Sequence, residues 1–250
     1  MKKVLGITKK TKSYAVQFDE DVILIEPEIF LKYHLRLLQE LDKKTFNSLC
    51  LDNDYAHYYK LGIAKLKKML TIHEMREYLI SKGAKEAIVK QLISRYTEKK
   101  YLDDFAYAKL YTQLKQNSEG PVMIANRLRA KGISKDIIDG FVNEIDEKEI
   151  LNHLIPKKMS SIKNKSKKQM IQTLKGFFVR KGFSLDAVES VIKKSLSSYD
   201  VNELDLIKKN YEKLFQKYHG KMKDKELNYF LTQKLYAKGF KIEDIKKVIT

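Results

Sequence analysis

The chain has 250 residues, with 50 Lys and Arg against 32 Asp and Glu, a formal charge of +18 and 43% hydrophobic residues. That apolar share suffices for a sizeable core, and a cationic excess of this size points to a polyanionic partner, either nucleic acid or an anionic membrane surface. No stretch approaches the ~20 consecutive apolar residues needed to cross a bilayer; the single cysteine, Cys50, excludes a disulfide framework and a Cys-based zinc site, so a soluble protein of the reducing cytoplasm is expected.

The first forty residues differ from the rest. Lys3–Thr8, Ser13–Phe18 and Val22–Ile25 are short β-branched or alternating runs, separated by charged turn material at 9–12 and 19–21. Period-2 spacing puts Tyr14, Val16 and Phe18 on one face. The pattern predicts a small antiparallel meander ending at Pro27, which suits the first turn of a short helix.

From about Asp42 onward the pattern is helical. Tyr59, Ile63, Leu66 and Leu70 recur at helical steps and make one apolar face. The same reading predicts helices near 42–69, 72–82, 85–97, 103–117, 121–131, 135–145, 147–162, 167–181, 185–196, 201–218, 224–238 and 242–249.

Four segments within this region superimpose: LISKGAKEAIVKQLI, LRAKGISKDIIDGFV, FVRKGFSLDAVESVI and LYAKGFKIEDIKKVI. Their glycines are Gly83, Gly132, Gly182 and Gly239, spaced by 49, 50 and 57 residues. Four positions before each Gly stands Leu79, Leu128, Phe178 or Leu235, and six after it Val89, Ile138, Val188 or Ile245. A helix that runs up to Lys and stops at a left-handed Gly accounts for the unit, with the Lys charge favoured by the helix dipole. Units this small have little core of their own and pack in series. The expected fold is therefore mainly α: tandem three-helix repeats in an elongated array behind a β-rich extension. Expected bounds are 1–41 for the extension, then 42–100, 101–146, 147–198 and 199–250.

Charge is uneven along the array. Residues 101–150 hold seven Lys and Arg against nine Asp and Glu, whereas 151–200 hold eleven against three. Lys157, Lys158, Lys163, Lys165, Lys167 and Lys168 crowd one helix connection of the third repeat. They form either a solvated linker or a patch that contacts phosphates without reading sequence. Arg180 and Lys181 nearby join them as DNA-contact candidates.

No catalytic constellation stands out. The five histidines lack metal-ligand spacing, His73-Glu74 lacks the second His of a zinc-protease helix, and no phosphate-cradling glycine loop occurs. Cys50 sits in an apolar helical context, as a structural thiol does. Asp103 and Asp104 read as helix-start capping residues, Gly120-Pro121 as a turn into a helix, and Tyr55, Tyr58 and Tyr59 as packing residues. No cofactor and no catalytic metal are expected.

Tyr101-Leu102-Asp103-Asp104-Phe105-Ala106, then Tyr111, Gly120-Pro121, Ile124, Leu128 and Lys131-Gly132-Ile133, resembles the signature of the RecX family of recombination regulators. The flanking repeats and β-rich start are similar to longer members of Gram-positive type. The resemblance implies a modular helical protein, itself not an enzyme, that lies along RecA–DNA filaments. It implies modulation, usually inhibition, of the recombinase in DNA recombination, repair and the SOS response. Its partners would be the RecA filament and single- or double-stranded DNA, with no membrane, and the protein would act as a monomer. On charge alone, Asp103, Asp104, Arg127, Arg129 and Lys131 of the second repeat are the candidates for recombinase contact. The alternative reading is a sequence-specific DNA-binding protein of tandem helix-turn-helix units, which suits the charge and the three-helix repeats.

Overall fold

The computed structural model describes residues 1–19, 21–197 and 202–249. Glu20 of the expected turn, the residue Val201 and the repeat border at 198/199 lie outside the described residues. The chain forms two compact units, residues 1–108 with 130–137, and residues 109–129 with 138–250.

The first unit opens with strands β1 (Lys2–Lys9), β2 (Tyr14–Phe18) and β3 (Asp21–Ile25). As expected they are antiparallel, and Val16 and Phe18 are fully buried. A fourth strand, β4 (Glu40–Leu41), was not legible in the pattern; it pairs with Lys2 and Lys3 and completes the order β3-β2-β1-β4. Two residues are too few to display a period. Between β3 and β4, helix α1 (Pro27–Lys32) starts at Pro27, as anticipated.

Helix α2 (Lys43–Lys65) closes over the sheet, burying Leu49 and Ala56 against Val4, Phe18 and Ile25. Cys50 is half-buried against this core, and burial raises its thiol pKa. Asn53 is a polar group buried in this contact: it accepts from Glu26 N–H at 2.8 Å and donates to the Leu24 carbonyl at 2.9 Å. Both hydrogen bonds tie the end of β3 to the helix. The helix stops at Lys65, four residues short of the expected limit.

A second core in this unit gathers α3 (Ile72–Ser81) and α4 (Glu86–Glu98) around Met75, Leu79, Val89, Leu92 and Tyr96. Tyr55, Tyr58 and Tyr59 pack against it, as expected. The Tyr96 hydroxyl donates to the Tyr59 carbonyl at 2.8 Å, and a Cβ on Gly62 would lie 2.1 Å from that hydroxyl. A glycine inside a 23-residue helix is explained by this contact.

The remaining helices follow the expected order: α5 (Asp104–Lys115), α6 (Pro121–Ala130), α7 (Lys135–Val142), α8 (Glu147–Ser161), α9 (Lys167–Arg180), α10 (Leu185–Ser197), α11 (Glu203–Tyr218), α12 (Asp224–Ala237) and α13 (Ile242–Ile249). In the second unit, α8, α9 and α10 enclose Leu151, Ile155, Leu174, Phe178, Val188 and Ile192. Ile207, Leu235, Phe240 and Ile245 form the core of the last helices.

All four repeat glycines are left-handed, with φ of +92°, +76°, +90° and +81° for Gly83, Gly132, Gly182 and Gly239. In three copies the amide after the glycine reaches back five residues: Ala84 to the Leu79 carbonyl (3.1 Å), Phe183 to Phe178 (3.2 Å) and Phe240 to Leu235 (3.4 Å). This is the Schellman closure of a helix end. The apolar residues four before and six after each glycine are all at most 1% exposed, so the alignment of the four segments marks true core positions.

Candidate functional site

The Lys-Gly turns are more than helix ends. The Lys131 carbonyl accepts a 2.7 Å hydrogen bond from the hydroxyl of Thr71, which also caps α3. The Lys238 carbonyl accepts at 2.6 Å from the hydroxyl of Ser166, which also caps α9. The Lys181 carbonyl accepts at 2.8 Å from the backbone N–H of Gly120, just before α6. In each case the start of a repeat's middle helix docks on the Lys-Gly turn of the following repeat. The first turn has no preceding repeat, and there the Lys82 carbonyl faces the hydroxyl of Tyr58.

A second bond accompanies each joint. Ile72 N–H donates to the Asp104 carboxylate (2.9 Å), and Lys167 N–H donates to the Glu203 carboxylate (3.0 Å). At the middle joint the corresponding residue is Pro121, which has no N–H to satisfy, and Val122 N–H instead donates to the Gly182 carbonyl (3.2 Å). The turn glycines are needed here for space as well as for φ. A Cβ on Gly182 would sit 2.4 Å from the Met123 nitrogen, and one on Gly132 2.3 Å from the His73 Cβ.

These joints decide where the candidate partner residues stand. Asp103 is exposed and caps α5 through a 2.9 Å bond from Ala106 N–H. Asp104 is committed to Ile72. Burial pushes its carboxyl pKa up, the Ile72 amide opposes this, and the Asp103 and Glu74 charges add to the rise. Lys131 bonds Glu74 at 2.5 Å and stands 5.3 Å from the Tyr107 ring centroid. The Glu74 carboxylate holds the Lys131 ammonium above its usual pKa. Arg127 and Arg129 are exposed on α6; Arg127 pairs with Glu119 at 3.1 Å and Arg129 donates to Asn126 at 2.8 Å.

The third repeat carries the other candidates. Lys157 and Lys158 lie on α8, Lys163 and Lys165 in the connection, and Lys167 and Lys168 in the first turn of α9. Lys157, Lys163, Lys167, Lys168 and Arg180 are exposed, while Lys158, Lys165 and Lys181 are half-buried. Lys158 Nζ sits 4.5 Å over the Phe177 ring, and Lys165 donates to the Thr173 hydroxyl at 2.9 Å. Among the described residues none of the eight is ion-paired, whereas Lys175 on the same helix α9 pairs with Glu189 at 2.6 Å. Lys167 and Lys168 also occupy the end of the helix where the dipole disfavours cations and favours anions. The arrangement can hold phosphate groups.

Sequence reasoning missed Thr71, Ser166 and Glu203. The Thr71-x-x-Glu74 capping box was a legible signal for the first; its second bond, to a backbone carbonyl sixty residues away, leaves no mark in composition. Among the described residues, no group of three or more His, Cys, Asp or Glu is placed to hold a metal ion, and no helix is long and apolar enough to cross a membrane.

Repeated helix triplets, joined cap to turn and carrying one cationic segment, define a tandem three-helix repeat protein. The family model described as "RecX, second three-helix domain" matches residues 103–140. A regulatory protein RecX of Bacillus cytotoxicus is 30% identical over 241 residues, covering 92% of this chain and 87% of the relative. The one from Clostridium tetani is 32% identical over 186 residues, 72% of this chain and 86% of the relative. A crystal structure titled regulatory protein RecX superimposes with a TM-score of 0.60 at 22% identity, over 76% of this chain and 98% of that one, and so shares the fold. The chain belongs to the RecX family of regulatory proteins.

Proposed function

We propose that the protein regulates the RecA recombinase, binding RecA–DNA filaments and lowering their activity, and that it has no catalytic activity of its own. Family membership supports the regulatory class. The observation that carries the DNA half of the reading is the third repeat's set of eight cations, none of whose side chains is ion-paired among the described residues. Such a cluster repels itself until an external polyanion neutralises it, and DNA phosphates release counterions on doing so.

Lys157, Lys158, Lys163, Lys165, Lys167, Lys168, Arg180 and Lys181 contact the DNA backbone in this reading. Asp103, Arg127 and Arg129 remain the candidates for recombinase contact, and Asp104 and Lys131 act behind them by holding the joint between the first two repeats. The repeats run over 42–100, 101–146, 147–198 and 199–250, and the protein works as a cytoplasmic monomer. Several weak contacts from successive repeats on one filament add through effective concentration.

The test is ATP hydrolysis and filament length of RecA assembled on single-stranded DNA, with the protein added at sub-stoichiometric ratios. Reduced hydrolysis and shorter filaments are expected. No change in either would overturn the reading, and tight, salt-resistant preference for one duplex sequence would point to a sequence-specific DNA binder.

A further inference from the structure

Helix α12 is built with two opposed faces. Leu227, Leu231 and Leu235 are at most 1% exposed, whereas Tyr229 and Tyr236 are 68% and 64% exposed. At 3.6 residues per turn the two tyrosines, seven positions apart, project within about 20° of each other, opposite the leucines. Their backbone positions are separated along the helix by about 10.5 Å. The Tyr229 hydroxyl accepts a 2.7 Å hydrogen bond from the Gln233 amide, which holds that side chain in place.

The neighbours of these rings are polar and cationic. Lys225 lies one turn before Tyr229, and Lys221 and Lys223 stand just ahead of the helix; none of the three is ion-paired among the described residues. Glu226 flanks the same face. A surface built for another protein's apolar side chains would surround its aromatics with aliphatic residues; this one offers Lys, Gln and Thr.

The helix also ends on the lysine patch of the third repeat. Ser166 bonds the carbonyl of Lys238, and a Cβ on Gly239 would stand 3.2 Å from the Lys168 Cβ. Lys168 therefore lies against the turn three residues beyond Tyr236.

We infer that the Tyr229–Tyr236 face of α12 is a base-stacking platform for single-stranded nucleic acid, continuous with the phosphate-binding lysines. The inference rests on the DNA contact proposed for the third repeat and adds a second kind of contact to it. Aromatic side chains anchored about 10.5 Å apart along one helix face do not match successive bases of a duplex, which rise about 3.4 Å each. They can take bases of an extended strand, whose unstacked faces any aromatic ring accepts without regard to sequence.

The experiment measures fluorescence anisotropy of a labelled oligo-dT and of an abasic strand of the same length and charge, using the full chain. Tyr229→Ala and Tyr236→Ala should each weaken oligo-dT binding about fivefold or more and leave the abasic strand and the salt slope unaffected. Tyr229→Phe and Tyr236→Phe should retain binding. Both sites are exposed, and unchanged thermal unfolding checks the fold. Equal oligo-dT affinity of wild type and the Ala variants overturns the platform, as does an equal loss on the abasic strand. Weakened regulation of RecA with intact strand binding also overturns it and makes the face a protein contact. If Lys163→Ala with Lys168→Ala flattens the salt slope while the tyrosine variants change nothing, the platform fails and the third-repeat reading stands. If neither set changes binding, both fail.

Discussion

The hydroxyl of Thr71 donates to the carbonyl of Lys131 at 2.7 Å while accepting from the N–H of Glu74 at 3.1 Å. One fully buried side chain thus caps its own helix and fastens it to the next repeat's Lys-Gly turn. Ser166 does the same for α9 and Lys238. Thr71→Val keeps the shape and removes both bonds. Loss of a cap costs about 1 kcal/mol, and an unsatisfied buried carbonyl about 1–3 kcal/mol more. Urea unfolding should show a loss of about 2–4 kcal/mol with an unchanged m-value. A loss no larger than a surface substitution's would mean the hydroxyl bridge adds nothing to the joint.

Two glycines give a contrast of sign. Gly120 packs where a Cβ would lie 2.3 Å from the Gly182 carbonyl carbon, so Gly120→Ala must push two backbones apart. Gly140 stands in α7 with nothing within 4 Å of a new Cβ. Gly120→Ala is expected to cost several kcal/mol, on the scale of overpacking and above, and Gly140→Ala to stabilise by about 0.5–1 kcal/mol. Thermal unfolding of the two single variants, side by side, checks the order.

Asp104 gives the first joint a pH dependence of unusual sign. Burial, with the nearby Asp103 and Glu74 charges, raises its carboxyl pKa above the ordinary 3.8 despite the bond from Ile72 N–H. A raised carboxyl binds its proton more readily in the folded state, so its contribution falls as pH rises through the window above 3.8. Asn in its place still presents an acceptor to Ile72 but carries no charge. Asp104→Asn should therefore stabilise the protein at pH 7, and the gain should vanish below pH 3.8, where both folded and unfolded Asp104 are protonated. Glu74 runs the opposite way. Burial alone would raise it, but the Lys131 ammonium and the Thr71 amide outweigh burial and lower it. Its stabilisation is present above 4.5 and lost as pH falls through its lowered folded pKa, so Glu74→Gln should cost stability at pH 7, and the cost should shrink as pH falls below 4.5. Chemical denaturation across pH 3–7 separates the two, and parallel curves for wild type and Asp104→Asn would refute the assignment.

Which of these features the sequence made legible follows from their range along the chain. The apolar positions four before and six after each glycine, the left-handed turns and Pro27 and Pro121 at helix starts are local patterns. Periodicity and turn chemistry display them, and the structure has them. The end of α2 at Lys65 was overrun because Leu66 and Leu70 continue the apolar face beyond the last helical turn and pack on the second core of the first unit. The joints were not legible at all. Thr71 and Lys131 stand sixty residues apart and one partner is a backbone carbonyl, so no residue type betrays the bond. Asp104 shows the consequence: an adjacent carboxylate pair looks like two capping residues, but only Asp103 caps, and Asp104 reaches the helix of another repeat. Charge counting likewise located the lysines of the third repeat but could not tell which cations lack a partner.

Those lysines give the sharpest test of the DNA contact, since binding and stability should move in opposite directions. Changing Lys163, Lys165, Lys167 and Lys168 to Ala removes four of the eight cations whose side chains are not ion-paired among the described residues. For single-stranded DNA each lost phosphate contact reduces the slope of log affinity against log salt by about 0.7, so the four together should flatten it by about 3. Lys167 and Lys168 sit in the first turn of α9, which has no acidic residue of its own, and although the Glu203 carboxylate accepts from the Lys167 N–H, the helix dipole opposes a positive charge there. Removing them should stabilise the helix by about 0.3–1 kcal/mol each at low ionic strength, less the small cost of Lys165 leaving Thr173. A variant that binds DNA more weakly, with a flatter salt slope and a higher melting temperature, would mark the patch as a functional surface held against its own stability. Unchanged DNA binding together with raised stability would reduce the same lysines to a solvated connection.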